Sequence, residues 1–399
     1  MPILEVSVLF SVILFLCTSR SDGRPKPPWD YNGFQSLPVF WQGGGNIMHL
    51  ENASMLAAIS KYQMATFGFS TNAHNVSNHG RHVERSMEEQ CKALKATNPA
   101  IACVVYLNTA GAHSGYDSMR IAMFDRRHHG WWIANADGSI LNKSNSDFSW
   151  YSWDWRNSSA SSYWLDKVLS QTVLQSKGAV DLVFFDDFDG PGCAMEQILP
   201  SHYSRRDAED IQVAKMEVMA EAAKRLVSNG QFPIFATGTK FNSTSDCLIS
   251  EQKLLQQIGD VGFLRYRIWP SHAHLNESNC VGLLHQIVAE QEAGIPQYFY
   301  SPLPRSDPRL SDTALAAFLL TRGEAGYDYF GTSTGWEDPD WQWHAQYNAK
   351  FGAPTGPMLH VGEAIFRRVY SEVVVQLDCR TLKASFIFHH DSQTILSVA

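Results

Sequence analysis

Short apolar runs alternate with segments whose apolar positions return every three or four residues, and the alternation continues for nearly three hundred residues. That rhythm is the one of βα units laid around a parallel sheet. It predicts strands over residues 38–41, 64–69, 101–107, 150–154, 180–186, 232–237, 261–266, 295–300 and 326–330. Nine strands are one more than a (β/α)8 barrel of the TIM type can use, so one of them is expected to be a rim hairpin or a loop. Helices are predicted over 83–96, 161–175, 208–228, 248–258 and 280–292. Within 208–228, Ile211, Lys215, Val218, Ala222 and Leu226 fall near one face, in the manner of a barrel's outer helix. From about residue 362 the pattern changes to period two, with strands at 372–377 and 382–388, which reads as an antiparallel hairpin added to the barrel. The expected layout is a signal segment over 1–21, a Pro-rich leader over 22–36, the barrel over 37–361 and the β addition over 362–399.

The run from Val180 to Asp189 is the most informative stretch. It is apolar for the length of a strand and then ends in Asp186, Asp187 and Asp189. A strand buried on both faces reads as such a run, and parallel α/β proteins gather ligands at the carboxyl ends of their strands. Ionised aspartates are costly to bury, so acids at this point suit chemistry, a metal or a hydroxyl-rich ligand. The plain alternative is a capped loop, since Asp and Gly are ordinary turn residues. Regular strand alternation sends Asp186 and Asp187 to opposite faces, leaving one of them to point into the mouth.

A second cluster surrounds Asp154. Trp150, Tyr151, Trp153 and Trp155 flank Asp154 and Arg156. Aromatic faces stack on sugar rings and short polar side chains hold hydroxyls. Alternation places Trp153 and Trp155 opposite Asp154 and Arg156, so the tryptophans could equally be core, and the acid and Arg156 a structural ion pair. If residues 150–154 and 180–186 are consecutive barrel strands, the Asp154 and Asp186 carboxylates lie near one another over the mouth, the arrangement a glycosidase needs. Further carboxyl-end candidates are Tyr106 and Asn108, Thr237 and Lys240, Arg265 and Arg267, and Tyr300, with Trp341, Trp343 and His344 as outer-subsite or packing residues.

Other chemistries find less in the chain. Residues Gly43, Gly44 and Gly45 lack a following Lys-Ser/Thr, and no Gly-x-Gly-x-x-Gly turn follows the first strand, which weakens a doubly wound nucleotide-binding sheet. No Gly-x-Ser-x-Gly elbow is present. Among the histidines, His74, His79 and His82 share a loop, His128 and His129 are adjacent, and His272 with His274 forms a His-x-His that an Asp could complete. Loop histidines without a third ligand at fixed spacing are ordinarily solvated, so neither a metal nor a cofactor is expected.

Composition narrows the setting. The chain has 399 residues, 44% hydrophobic and 18% charged, enough for one large core or two modest ones. A net charge of -8 without any Lys/Arg-rich run argues against a nucleic-acid partner. Val6 to Leu16 is apolar but shorter than the ~20 residues a bilayer needs, and reads as a cleaved secretory signal without basic residues ahead of it. Once it is removed no membrane association is expected. Loss of Cys17 leaves six cysteines, Cys91, Cys103, Cys193, Cys247, Cys280 and Cys379, an even count that suits an oxidising compartment. Fifteen pairings are open, and Cys91 with Cys103 would close a short helix-to-strand loop. Six Asn-x-Ser/Thr sequons, at Asn52, Asn75, Asn142, Asn157, Asn242 and Asn276, fit a secreted glycoprotein.

With these residues in view, the chain resembles the hypothetical glycosyl hydrolase family fifteen. The resemblance lies in Asp181 to Asp187, in Asp154-Trp155-Arg156-Asn157, and in Phe351 to Pro357 leading through Arg367 and Tyr370 to Val373 and Val374, and it spans about 37–388. It implies a (β/α)8 barrel, a carbohydrate substrate, Asp186 at a catalytic carboxylate position and Asp154 lining the site. Where many such barrels present a Glu, the seventh-strand region offers Arg265 and Arg267. The second acid is then Asp154, Asp187 or Asp189, or is missing. The expected function is a secreted glycoside hydrolase cleaving O-glycosidic bonds, with catalytic Asp186, Asp154 and Asp187. Arg156, Trp153, Asp189, Tyr106, Asn108, Arg265 and Tyr300 are the substrate-binding candidates. The alternatives are a carbohydrate-binding barrel without catalysis and a metal-dependent hydrolase.

Overall fold

The computed structural model describes residues 34, 36–43, 53–69, 82–142, 149–187, 199–236, 262–270, 274–303, 311–324, 326–333 and 343–389. Eight parallel strands form one sheet in the order β1 (Phe40–Gly43), β2 (Met64–Phe67), β3 (Ala102–Asn108), β6 (Leu182–Asp186), β7 (Phe232–Ala236), β8 (Leu264–Ile268), β9 (Gln297–Pro302) and β10 (Tyr329–Ser333). A parallel bridge between Val39 and Phe330 brings β10 back to the start of β1, so the barrel is nearly closed. The surplus predicted strand, 150–154, belongs to the rim hairpin. β4 (Gly111–His113) rises from the end of β3 and pairs antiparallel with β5 (Trp150–Ser152) outside the barrel. Gly111 is required there, because a Cβ would overlap the Trp150 indole.

Period-two alternation sorts the strand side chains into two cores. Val105, Val183, Phe185, Phe235, Phe299 and Phe330 face the helices, while Phe40, Met64, Val104, Phe184, Ile234, Leu264 and Tyr298 fill the barrel. Phe40 stacks on Tyr298 at 3.7 Å between ring centres, and it fits because Gly331 opposite has no Cβ. The surrounding helices are α1 (Ala53–Ile59), α2 (Val83–Thr97), α3 (Asp117–Phe124), α4 (Ser158–Tyr163), α5 (Leu169–Thr172), α6 (Arg205–Ser228), α7 (Glu277–Glu292) and α8 (Asp312–Thr321). A π-helical turn over Trp164–Val168 joins α4 to α5. The predicted helix over 248–258 lies outside the described residues. α6 opens with a capping box in which Ser204 and Asp207 each satisfy the other's backbone N–H. Asn157 and Asn276, both sequon asparagines, are the N-caps of α4 and α7.

The C-terminal addition is larger than the predicted hairpin. β11 (Leu359–Gly362), β12 (Ile365–Val369), β13 (Val373–Asp378) and β14 (Lys383–Phe388) form a four-stranded antiparallel sheet against α8. β11 was missed because its side chains are exposed and give little alternation. A disulfide from Cys280 in α7 to Cys379 after β13 ties this sheet to the barrel across 99 residues, a loop length that stabilises by roughly 4–5 kcal/mol in the chain-entropy account. Cys91–Cys103, one of the pairings the sequence leaves open, closes the helix-to-strand loop. Cys193 and Cys247 lie outside the described residues, as do residues 1–21, where a signal segment is expected, and Gly44, Gly45, Asn52, Asn75 and Asn242. Among the described residues no helix is long and apolar enough to cross a membrane.

Candidate active site

β3 and β6 are neighbours in register, Tyr106 opposite Phe184 and Asn108 opposite Asp186, so all four side chains face the barrel interior at its carboxyl end. The Tyr106 hydroxyl donates to Asp186 Oδ2 at 2.7 Å. Asn108 Nδ2 uses its two protons separately, one on the Tyr106 oxygen at 3.1 Å and the other on Asp187 Oδ2 at 2.7 Å. Asn108 is itself fixed, since its Oδ1 accepts from the backbone N–H groups of Ala110 and Gly111. A continuous chain of donors therefore joins the two carboxylates: Asp186, Tyr106, Asn108, Asp187. The backbone is held too, because Thr109 gives both its N–H and its hydroxyl to the Asp186 carbonyl.

Strand geometry alone would send Asp187 to the opposite face from Asp186. Asp187 instead adopts φ 51°, a left-handed conformation that interrupts the alternation. Its carboxylate thereby reaches Asn108, an inward-facing residue, and the expectation that only one of the adjacent acids points inward is corrected. The side-chain nitrogen of Lys215, from α6, donates to the Asp187 carbonyl oxygen at this bend.

Further tyrosines line the barrel interior beside Phe184. Tyr266 packs edge-on to Phe184 at 4.9 Å and stacks with Tyr300 at 5.8 Å. Tyr300 is bonded through its hydroxyl to Ser333 at 3.0 Å. Thr66, Tyr298 and Gln42 form a further hydroxyl and amide group, with Thr66 Oγ1 to Tyr298 Oη at 2.7 Å and Tyr298 Oη to Gln42 Oε1 at 3.2 Å. Burial, and after it the charges of Asp186 and Asp187, pushes the Tyr106 phenol well above its ordinary value, so it stays a proton donor at neutral pH. Burial likewise holds the His113 imidazole down to about 4, where its Nδ1 accepts from the Gly115 N–H at 3.1 Å.

The other predicted residues sit elsewhere. Asp154 does not end a barrel strand. It follows the hairpin strand β5 and is gripped by Arg156 through two bonds of 2.9 and 2.8 Å, while the third arm of Arg156 reaches Asp207 in the capping box of α6 at 2.7 Å. Those bonds, Asp154's first, hold the guanidinium above its usual value. Trp153 is fully buried and cannot offer an open face to a sugar. It packs on Trp132 at 4.4 Å and on Trp155 at 5.9 Å, in a ring cluster that continues through Trp164 to the outer face of β6. Arg265 and Arg267 face α7 rather than the mouth, and both bind Glu290 there, at 2.5 and 2.6 Å. Trp343 packs edge-on against Tyr62 at 5.3 Å. Asp189, Thr237, Lys240, His74, His79, His272 and Trp341 lie outside the described residues. Among the described residues no group of three or more His, Cys, Asp or Glu is placed to hold a metal.

Gln42, Thr66, Tyr266, Tyr298 and Lys215 went unrecognised as site residues, although the sequence carries a signal for several. The period-two row that includes Phe40 and Met64 leads to Gln42 and Thr66. In β8 the same parity selects Tyr266, between two arginines that were chosen for their charge. Lys215 announces itself as a lysine on an apolar helix face.

In sequence, the chain matches no curated protein. In structure it is similar to a GH31 family sulfoquinovosidase from E. rectale in complex with an aza-sugar inhibitor, at TM-score 0.51 and 14% identity over 85% of this chain. The chain spans about half of that enzyme, 48%. It is also similar to the glycoside hydrolase domain of PelA from Pseudomonas aeruginosa, at TM-score 0.45 and 16% identity, covering 75% of this chain and 95% of that one. A third likeness is to sucrose 6F-phosphate phosphorylase from Thermoanaerobacter thermosaccharolyticum, at TM-score 0.48 and 10% identity, covering 91% and 97%. At such identities the likeness is one of fold. The sequence model of one family matches residues 95–374, from α2 through β13, a span that holds both carboxylates and their donors. The chain thus belongs to the hypothetical glycosyl hydrolase family 15.

Proposed function

We propose that the protein is a secreted glycoside hydrolase that cleaves O-glycosidic bonds of an oligo- or polysaccharide with Asp186 and Asp187. The observation that carries this reading is the convergence of two adjacent carboxylates on one donor chain, at the carboxyl end of a barrel strand, in a chain of a glycosyl hydrolase family. Glycoside hydrolysis needs one carboxyl to protonate the leaving oxygen and another to attack the anomeric carbon or activate water. Asp186, seated deeper and oriented by Tyr106, is the nucleophile or base. Asp187, exposed and held by Asn108, is its acid partner. Asp154 takes no part, because Arg156 saturates it. Tyr300, near the carboxyl end of β9 and not fully buried, supplies a hydroxyl of the kind that sugars bind. Two disulfides support an oxidising compartment, and with the leader-like segment Val6 to Leu16 they support secretion.

The test is a screen of nitrophenyl glycosides and polysaccharides for released reducing ends, run on the wild type and on Asp186→Asn. Hydrolysis by the wild type that vanishes in Asp186→Asn supports the proposal. Unchanged hydrolysis in the variant removes Asp186 from the role. Glycan binding without hydrolysis in either form identifies a carbohydrate-binding barrel, and activity lost on chelation identifies a metal enzyme.

A further inference from the structure

Lys215 is fully buried on the apolar side of a 24-residue helix, near Ile211, Val218, Met219 and Ala222. A lysine is rarely tolerated there, because its nitrogen must find acceptors away from water. One acceptor is the carbonyl oxygen of Asp187, the residue whose left-handed backbone follows the last residue of β6. Two unusual features of the molecule thus meet in one bond. L residues other than Gly enter this backbone region at a cost and stay there when their surroundings hold them. On the other side of the same residue, Asn108 fixes the carboxylate.

We propose that Lys215 is the positioning residue of the acid pair: by holding the Asp187 carbonyl it keeps the backbone bend that turns the Asp187 carboxylate onto Asn108, beside Asp186. α6 thereby does more than cover the barrel. Its buried face sets the orientation of a group on the opposite side of β6. The catalytic part of this inference rests on the reading of Asp186 and Asp187 as the reacting pair, whereas its structural part does not.

Lys215→Met tests it, since Met follows the lysine stem without the donor and suits an apolar helix face. The variant is expected to fold with a thermal midpoint no lower than the wild type. Its crystal structure should show Asp187 out of the left-handed region, and the Asn108 side-chain amide proton that bonds Asp187 should move, in an Asn-labelled NMR spectrum, to the position of a solvated amide. On a hydrolysed glycan, kcat should fall about a hundredfold with KM within about twofold, the scale of a misplaced catalytic group. Lys215→Arg, which keeps an N–H donor, should recover the Asn108 signal and most of kcat. An Asp187 backbone and an Asn108 resonance unchanged in Lys215→Met would overturn the inference. So would loss of the signal in Lys215→Met without recovery in Lys215→Arg, which would leave Lys215 as packing alone. If the wild type hydrolyses no glycan, the proposed function fails, and the spectrum and structure still decide the role of Lys215.

Discussion

Two acid clusters look alike in the sequence and have opposite fates in the fold. Asp154 follows aromatic residues and precedes an arginine, and its carboxylate ends in a fork of guanidinium bonds that also clamps the start of α6. Asp186 and Asp187 follow an equally apolar run, and among the described residues Asp186 accepts from a phenol and Asp187 from an amide. An arginine fork occupies both oxygens of a carboxylate and leaves it nothing to give. A phenol or an amide orients a carboxylate through one hydrogen bond to one oxygen. The same contrast runs along β6 itself. Asp181, just before its amino end, is bound by Lys95 at 2.7 Å and by the Cys103 N–H at 2.8 Å, a pattern that ties α2, β3 and β6 together.

The largest expected difference between the clusters is catalytic. Asp186→Asn should lower kcat by on the order of 10³-fold or more, since it removes a group that changes its bonding in the transition state. Circular dichroism and the thermal midpoint should stay at wild-type values. Retained turnover would break the comparison, because the pair at the end of β6 would then be as inert as the guanidinium-bound acid.

Stability at low pH links the two regions. His113 lies in β4, edge-on to Trp150 of the Asp154 hairpin at 5.5 Å, and 4.8 Å from Phe69, which in turn packs on Tyr106. Its imidazole is held at about 4 by burial, against 6.5 for the exposed group. The unfolded chain therefore binds this proton more tightly than the folded one. The resulting stability is complete above pH 6.5 and is lost as the pH falls towards 4. Between pH 7 and 4.5 the loss from this residue should be about 2–3 kcal/mol. His113→Asn keeps an acceptor for Gly115 and cannot titrate, so urea unfolding at both pH values should show a drop smaller by that amount. An equal drop in both proteins would mean that acid loosens this region through other groups.

Tyr106→Phe probes the donor chain alone. It removes the O–H that Asp186 receives and the oxygen that Asn108 contacts, with the ring left in place against Phe69 and Phe184. One hydrogen bond of this kind is worth roughly 1–1.5 kcal/mol, so kcat should fall about tenfold with KM little changed. A fall as large as that of Asp186→Asn would show that the phenol itself takes part in the chemistry.

The barrel was legible because its strands are apolar runs bounded by turn residues, and the two cores follow from parity along each strand. The site was legible at Asp186, where an apolar run meets acids. Three things were not. The hairpin at residues 150–154 reads as a barrel strand because its buried tryptophans serve a ring cluster instead of the sheet. Arg265 and Arg267 read as mouth residues because charge at a carboxyl end was given more weight than parity, although their carboxylate, Glu290, comes from the next helix. The inward turn of Asp187 depends on a backbone angle, which no side-chain pattern encodes.

The smallest effect should come from the cluster with the most ion pairs. Arg156 is partly exposed, so its bonds to Asp154 and Asp207 are screened by solvent and offset by the ordering of long side chains. Asp207 also keeps its place in the capping box through Ser204, independently of Arg156. Arg156→Gln should therefore cost about 1 kcal/mol or less in chemical unfolding, and less still in high salt. Glycan turnover should stay within about twofold of the wild type, since among the described residues the side-chain bonds of Arg156 go to Asp154 and Asp207 and not to Asp186 or Asp187. A large fall in turnover with stability preserved would place Arg156 and Asp154 at the substrate after all, and the distinction between the guanidinium-bound carboxylate and the pair at the end of β6 would lose its functional meaning in this barrel.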